Sequence, residues 1–329
     1  MRSFWTWKNN ILGSIIFLNF GLLSQDSTSA IQNFDNKKVF YTDLGYNTSP
    51  FSIKYPFNEE VEVLKYRNNF KTFMGVGFAY KWFHLRIGFP VFGFVKSVDR
   101  WGDSQQFQIG FDFSVKHLFF DVDFNTVQGY AIKNYGDIDS TFNNSISNHL
   151  ISGSLGSTNL SVNAWYFRNK DFKMSALRVK QAHYKETVKT WYIKSTFNGF
   201  GVENQGDGII PPLLFDNSIS KTMASVYSAI DFGIIPGYAF VARLKNWQIS
   251  GWMGVGGVIQ SKFYSLNNSS RGFIGLQPRY DVRFIGGYTD DTYFILLDTE
   301  FDNKSISFNN LKYRQYYYSI RLTAGIRFN

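Results

Sequence analysis

The chain has 329 residues, 44% hydrophobic and 19% aromatic, long enough for one large β domain or two ordinary ones. It contains no cysteine, which excludes a disulfide framework, a cysteine-based zinc site, a thiol nucleophile and a lipid-anchored lipoprotein. The formal net charge is +9, but the basic residues are spread along the chain without a run of five or six, so scattered loop and lumen charge is expected rather than nucleic-acid binding.

The first thirty residues read as an export signal. Arg2 and Lys8 make a basic start, 11–23 is an apolar stretch, and Thr28, Ser29 and Ala30 offer small residues for cleavage. The stretch is short for a spanning helix, and no comparable run follows. The expected organisation is a signal peptide over 1–30, an N-terminal periplasmic segment over 31–48 and a barrel domain over 49–329. A mean hydropathy of -0.20 fits a barrel, in which every second residue faces a polar lumen.

Period two then recurs along the chain. A first strand is read at Phe51 to Tyr55. Met74, Val76, Phe78 and Tyr80 alternate with Gly75, Gly77 and Ala79, and Leu85, Ile87 and Phe89 with His84, Arg86 and Gly88. Phe107 to Val115, then Leu118 to Phe124, repeat the pattern, as do 160–166, 191–201, 225–244, 247–260, 279–284, 293–301 and 316–328. Pro236 falls inside one of these runs and calls for a bulge or bend. The fold predicted is all-β: a transmembrane antiparallel β-barrel of about 12 strands.

Turn positions give the expected register. Two-residue turns at 82–83, 116–117 and 245–246 pair Lys81 with His84, Val115 with Leu118 and Leu244 with Trp247. A turn at Asp290-Asp291 pairs Tyr288 with Tyr293, Arg283 with Asp298 and Arg279 with Asp302. Short turns follow strands two, four, eight and ten, and longer connections follow one, three, five, seven, nine and eleven. This places both termini in the periplasm. Residues 170–185 break the rule, being long where a short turn is due. They read as a periplasmic loop, a plug or two further strands. Trp82, Trp247, Tyr288 and Tyr293 sit beside the short turns as a girdle would.

Five blocks resemble the exported bacterial family known as domain of unknown function 4421. They are Tyr66-Arg67-Asn68-Asn69, Gly75 through Trp82, Val127-Gln128-Gly129-Tyr130, Gly237-Tyr238-Ala239-Phe240 and Gly287 through Asp291. The first lacks the family's Pro. The resemblance covers nearly all of the mature chain and implies an outer-membrane barrel. It implies no activity and supplies no catalytic residue.

Alternation points a charged set inward: Arg86, Asp112, Asp121, Asp123, Asp231, Arg279, Asp281, Arg283, Asp298, Glu300, Arg321 and Arg327. Asp112 and Asp121 are expected side by side across a hairpin, with Arg86 placed to neutralise them. A charge-paired network, a selectivity lining and an acid/base pair are the three uses open to such a lumen. The histidines, His84, His117, His149 and His183, lack the neighbours of a hydrolase site or the helical spacing of a zinc site. Gly254-Val255-Gly256-Gly257 lacks the Lys-Ser/Thr of a phosphate loop. External loops are expected over 141–159 and 202–222.

No cofactor, metal or catalytic residue is expected. The first reading is a non-enzymatic outer-membrane barrel, a small pore or a structural or interaction barrel. Its partners are outer-membrane lipid, a small solute and, through the last strand ending at Phe328, barrel-assembly machinery. An outer-membrane hydrolase or acyltransferase using lumenal carboxylates is the second, and a secreted soluble all-β binding protein the third.

Overall fold

The computed structural model describes residues 30–57, 61–70, 72–91, 93, 95–115, 118–139, 149–169, 172–205, 207–266 and 269–329. The export signal expected over 1–30 and the turn carrying His117 lie outside them, except for Ala30.

Twelve antiparallel strands close into a ring among the described residues. They are β2 (Lys38–Thr48), β5 (Phe73–Tyr80), β6 (Phe83–Pro90), β7 (Gln105–Val115), β8 (Leu118–Ile132), β9 (Leu150–Phe167), β11 (Val188–Asn204), β12 (Val226–Leu244), β13 (Trp247–Leu266), β14 (Ser269–Thr289), β15 (Tyr293–Ser307) and β16 (Lys312–Phe328). Each pairs with its sequence neighbour in the ring, and β16 closes on β2. Alternation builds the wall. In β12, Ile230, Phe232 and Ile234 are exposed while Ala229, Asp231, Gly233 and Ile235 between them are buried. The exposed rows are apolar all round the ring, which is the face lipid requires.

The ring therefore begins earlier than the sequence reading placed it. The segment 31–48 is not a separate periplasmic piece: β2 is a barrel strand, with Thr42, Leu44 and Tyr46 outward against Ala324, Leu322 and Ile320 of β16. The strand expected at Phe51 to Tyr55 is instead β3 (Phe51–Lys54), which forms a side hairpin with β4 (Val63–Arg67). This hairpin pairs with β16 on one side and β8 on the other, bypassing the ends of β5, β6 and β7. Four strands leave the ring there and two enter, so the barrel narrows from twelve strands to ten.

Two turns depart from the expected register. Tyr80 pairs with Phe83 around Lys81 and Trp82, and Tyr288 pairs with Ile295. Both shifts are two residues, so every side chain keeps its face. Arg283 is consequently opposite Glu300, and Asp302 is opposite Asp281 rather than Arg279. The pairs Val115 with Leu118 and Leu244 with Trp247 stand as expected. The connection after the ninth strand is not long: β13 and β14 run to Leu266 and Ser269. At Pro236 the ladder to β13 is interrupted, yet Ile234 with Gly257 and Gly237 with Gly254 share one register, so no bulge forms. A register shift occurs instead at Gly129 (φ +84), where an added Cβ would lie 2.1 Å from the Asp103 carbonyl oxygen.

Candidate functional site

The lumen has three layers. At the long-loop end, β3 and β4 turn Phe51, Ile53, Leu64 and Tyr66 into an apolar cluster with Tyr130, Tyr227 and Tyr313. The Phe51 ring stacks on Tyr66 at 4.3 Å. The Tyr66 hydroxyl donates to the Ile209 carbonyl at 2.8 Å. Residues 207–225 cover this mouth, with Ile209 and Ile210 buried, so the loop expected over 202–222 folds inward rather than standing free. The other expected loop, 141–159, is strand from Leu150 onward.

At the short-turn end, residues 172–185 enter the barrel as a plug. One helical turn, α1 (Met174–Leu177), leads into β10 (Ala182–Tyr184), which pairs with β1 (Ile31–Asn33). Phe172, Met174, Leu177, Val179 and Tyr184 pack against Phe119, Trp165, Trp252 and Phe294 of the wall. Of the three options the sequence left for 170–185, the structure takes the plug.

Between the two apolar layers lies a polar chamber of about 120 Å³, lined by carboxylates and cations in equal number. Asp112 and Asp121 are direct cross-strand partners, as alternation required. Their counterion is not Arg86. Arg178 reaches in from the plug and donates to Asp112 Oδ2 at 2.8 Å and to Asp121 Oδ2 at 2.7 Å. Burial alone would lower the Arg178 pKa, but Asp121 and Asp112 beside it raise it above its ordinary value. His84 is set between wall and plug, 2.5 Å from Asp112 Oδ1 and 2.5 Å from Gln181 Oε1.

The remaining expected residues divide as follows. Arg86 grips Asp43 with two bonds of 2.7 Å and reaches Gln108 at 2.9 Å. Asp123 accepts from Gln108 at 2.9 Å. Asp231 is buried against Arg279 and Asn198. Asp281 faces Lys194 at 3.2 Å and accepts from Trp252 at 3.1 Å. Arg283 and Arg321 share Asp298 and Glu300 at 2.6–3.4 Å. Arg327 lies below the chamber. It donates to the Lys180 carbonyl at 2.8 Å and to that of Val179, so it clamps the plug.

Sequence reasoning missed Asp43, Arg178, Lys180, Lys194 and Lys304. Asp43 was hidden by the late start given to the barrel. Arg178 and Lys180 lie in a segment without strand periodicity, and the signal that could have found them was the long connection at the short-turn end. His149 is buried against Trp101, ring centroids 4.4 Å apart, and His183 lies in β10. The glycines of 254–257 lie in β13.

Residues 28–328 match a family model described as Domain of unknown function (DUF4421). The chain belongs to this family. Two of the five blocks that carry the resemblance, 66–69 and 127–130, meet at the narrowed mouth: Asn69 donates through its side chain to the Gly102 carbonyl at 2.7 Å, and Ser104 donates to the Gly129 carbonyl at 2.9 Å. No curated protein matches the chain. Among solved structures, the P. putida toluene transporter TodX is 10% identical over 89% of this chain and 90% of its own, with a TM-score of 0.28. The β domain of the Bordetella autotransporter BrkA is 7% identical over 89% and 99%, with a TM-score of 0.38. The attachment invasion locus protein Ail of Yersinia pestis is 9% identical over 89% and 99%, with a TM-score of 0.21. Likeness at these scores carries no argument about what the chain does.

Proposed function

We propose that the protein is an outer-membrane barrel, closed at rest by its own plug at one mouth and by residues 207–225 at the other, through which a small polar solute passes when both move. The observation that carries this is Arg178, a cation brought in by a connecting loop to bridge two carboxylates of the wall. A purely structural plug needs apolar packing alone. One held by a charge pair in a polar chamber can be released by a competing charge or solute. The exposed apolar rows support a membrane setting, and the leader read over 1–30 would supply export. The final strand, with Phe328 outward, is the element offered to assembly machinery.

A hydrolase or acyltransferase would need a free carboxylate beside a nucleophile. Asp112, Asp121, Asp298 and Glu300 are instead engaged by arginines, and His84 contacts Asp112 and Gln181. A soluble binding protein would have to cover the apolar belt.

Single-channel recording in planar bilayers tests the proposal. The wild-type chain, shown folded by protease protection, is expected to stay closed, and a chain lacking both the plug residues 172–184 and the cover 208–222 to conduct in discrete steps. A steadily conducting wild type would remove the resting closure. A silent deletion variant that is folded would remove the passage.

A further inference from the structure

We propose that the outer face of the β3–β4 hairpin, with the adjoining ends of β16 and β8, binds the phosphate-bearing headgroup of an anionic membrane lipid. The inference rests on the reading of the chain as a membrane barrel. Register assembles the cations. Lys312 is opposite Lys54, Arg314 is opposite Ser52, and Ser52 is opposite Lys65. Arg67 pairs with Ala131 of β8, and Lys133 follows, its backbone N–H donating to the Lys65 carbonyl. Residues directly opposite in an antiparallel pair share a face. The alternate residues Ile53, Leu64, Tyr66 and Tyr313 are buried inside, so the cations lie outside. Among the described residues, the acid paired with them is Glu62, 3.2 Å from Lys54.

Height on the barrel identifies the occupant. The outer face of β16 reads Phe328, Ile326, Ala324, Leu322, Ile320, then Tyr318 and Tyr316, then Arg314 and Lys312. Twelve residues at about 3.3 Å each, tilted by about 40°, rise about 30 Å from Phe328 to Tyr316, enough to cross the apolar band of about 25 Å. Tyr46 leans on Tyr318 at 5.6 Å at this level, as an interfacial girdle would. The cations stand one step beyond the girdle, among the headgroups. Six positive charges on a sheet face at that level complement phosphate, and no zwitterionic surface matches them as well.

The full chain is folded into vesicles of nine parts phosphatidylcholine to one part phosphatidylglycerol and extracted in mild detergent, and the retained phospholipid is counted by mass spectrometry. Retained phosphatidylglycerol is expected several-fold above its share in the vesicle. It should fall to that share in a variant carrying K65Q, R67Q, K312Q and R314Q. Each cation near an anionic layer multiplies association about five-fold, so exposed Lys65→Gln alone gives a measurable drop should the quadruple variant not fold. A folded wild type that retains the two lipids in vesicle proportion overturns the inference and leaves the barrel reading intact. A chain that gains no protease protection in vesicles overturns that reading itself.

Discussion

Arg178 decides whether the Asp112–Asp121 pair is a feature of stability or a liability. Its side chain is 5% exposed, those of the two carboxylates 10% and 20%. Removing one member of a buried ion pair leaves uncompensated charge and costs about 3–5 kcal/mol. We therefore expect Arg178→Met to lower the denaturation midpoint by that order. Adding Asp112→Asn and Asp121→Asn should restore more than half of the loss, and equal losses in the single and triple variants would show that charge pairing is not what Arg178 supplies. On the outer face the sign of the rule reverses. Val122 stands between Phe111 and Val162 in an outward row, and an arginine there faces lipid. Val122→Arg should cost about 2–4 kcal/mol in a lipid-based folding assay. A neutral result would put Val122 outside the membrane. The juxtaposition of Asp112 and Asp121 was legible because alternation and one short turn fix it. Their counterion was not, since spatial neighbours from a loop carry no period.

The plug is the element most open to solution conditions. His183 lies in β10 with its ring edge-on to Phe34, centroids 5.3 Å apart. Burial, with Arg243 and Arg327 nearby, lowers its pKa to about 4. A free histidine titrates near 6.5. Between those values the undocked plug binds a proton that the docked plug does not. Docking is thus fully stable above about pH 6.5 and weakens as pH falls toward 4. Hydrogen exchange of the β1–β10 pair, corrected for intrinsic rate, should show less protection at pH 4.5 than at 7. Retention of that difference in His183→Gln would assign it to another group. Strand existence and facing were readable because period two survives even where the register slips by two, as around Trp82 and Asp290. The β3–β4 detour was not, because its alternation of Phe51 and Ile53 with Ser52 and Lys54 looks like any ring strand. What distinguishes it is where it pairs, a long-range fact.

At the scale of the whole molecule the wall is uneven. β5 and β6 have 8 residues each, while β13 and β14 have 20 and 21. Eight residues at about 3.3 Å, tilted by about 40°, rise about 20 Å, short of the apolar band of about 25 Å. The basic outer face of β3 and β4 sits directly above that low side. We expect the barrel to fold more completely in bilayers of 12-carbon than of 18-carbon chains, and equal yields would show that the low side does not meet lipid. The ring closes between β2 and β16, its first and last strands, while the plug is encoded midway, between β9 and β11. Its partner β1 directly precedes β2. Both ends of the stopper join the wall at the short-turn mouth, so it can leave and re-enter a finished cylinder without opening the seam. The strand that fastens it is the lead-in to the strand that completes the seam, so the stopper's latch and the cylinder's seam share one stretch of chain.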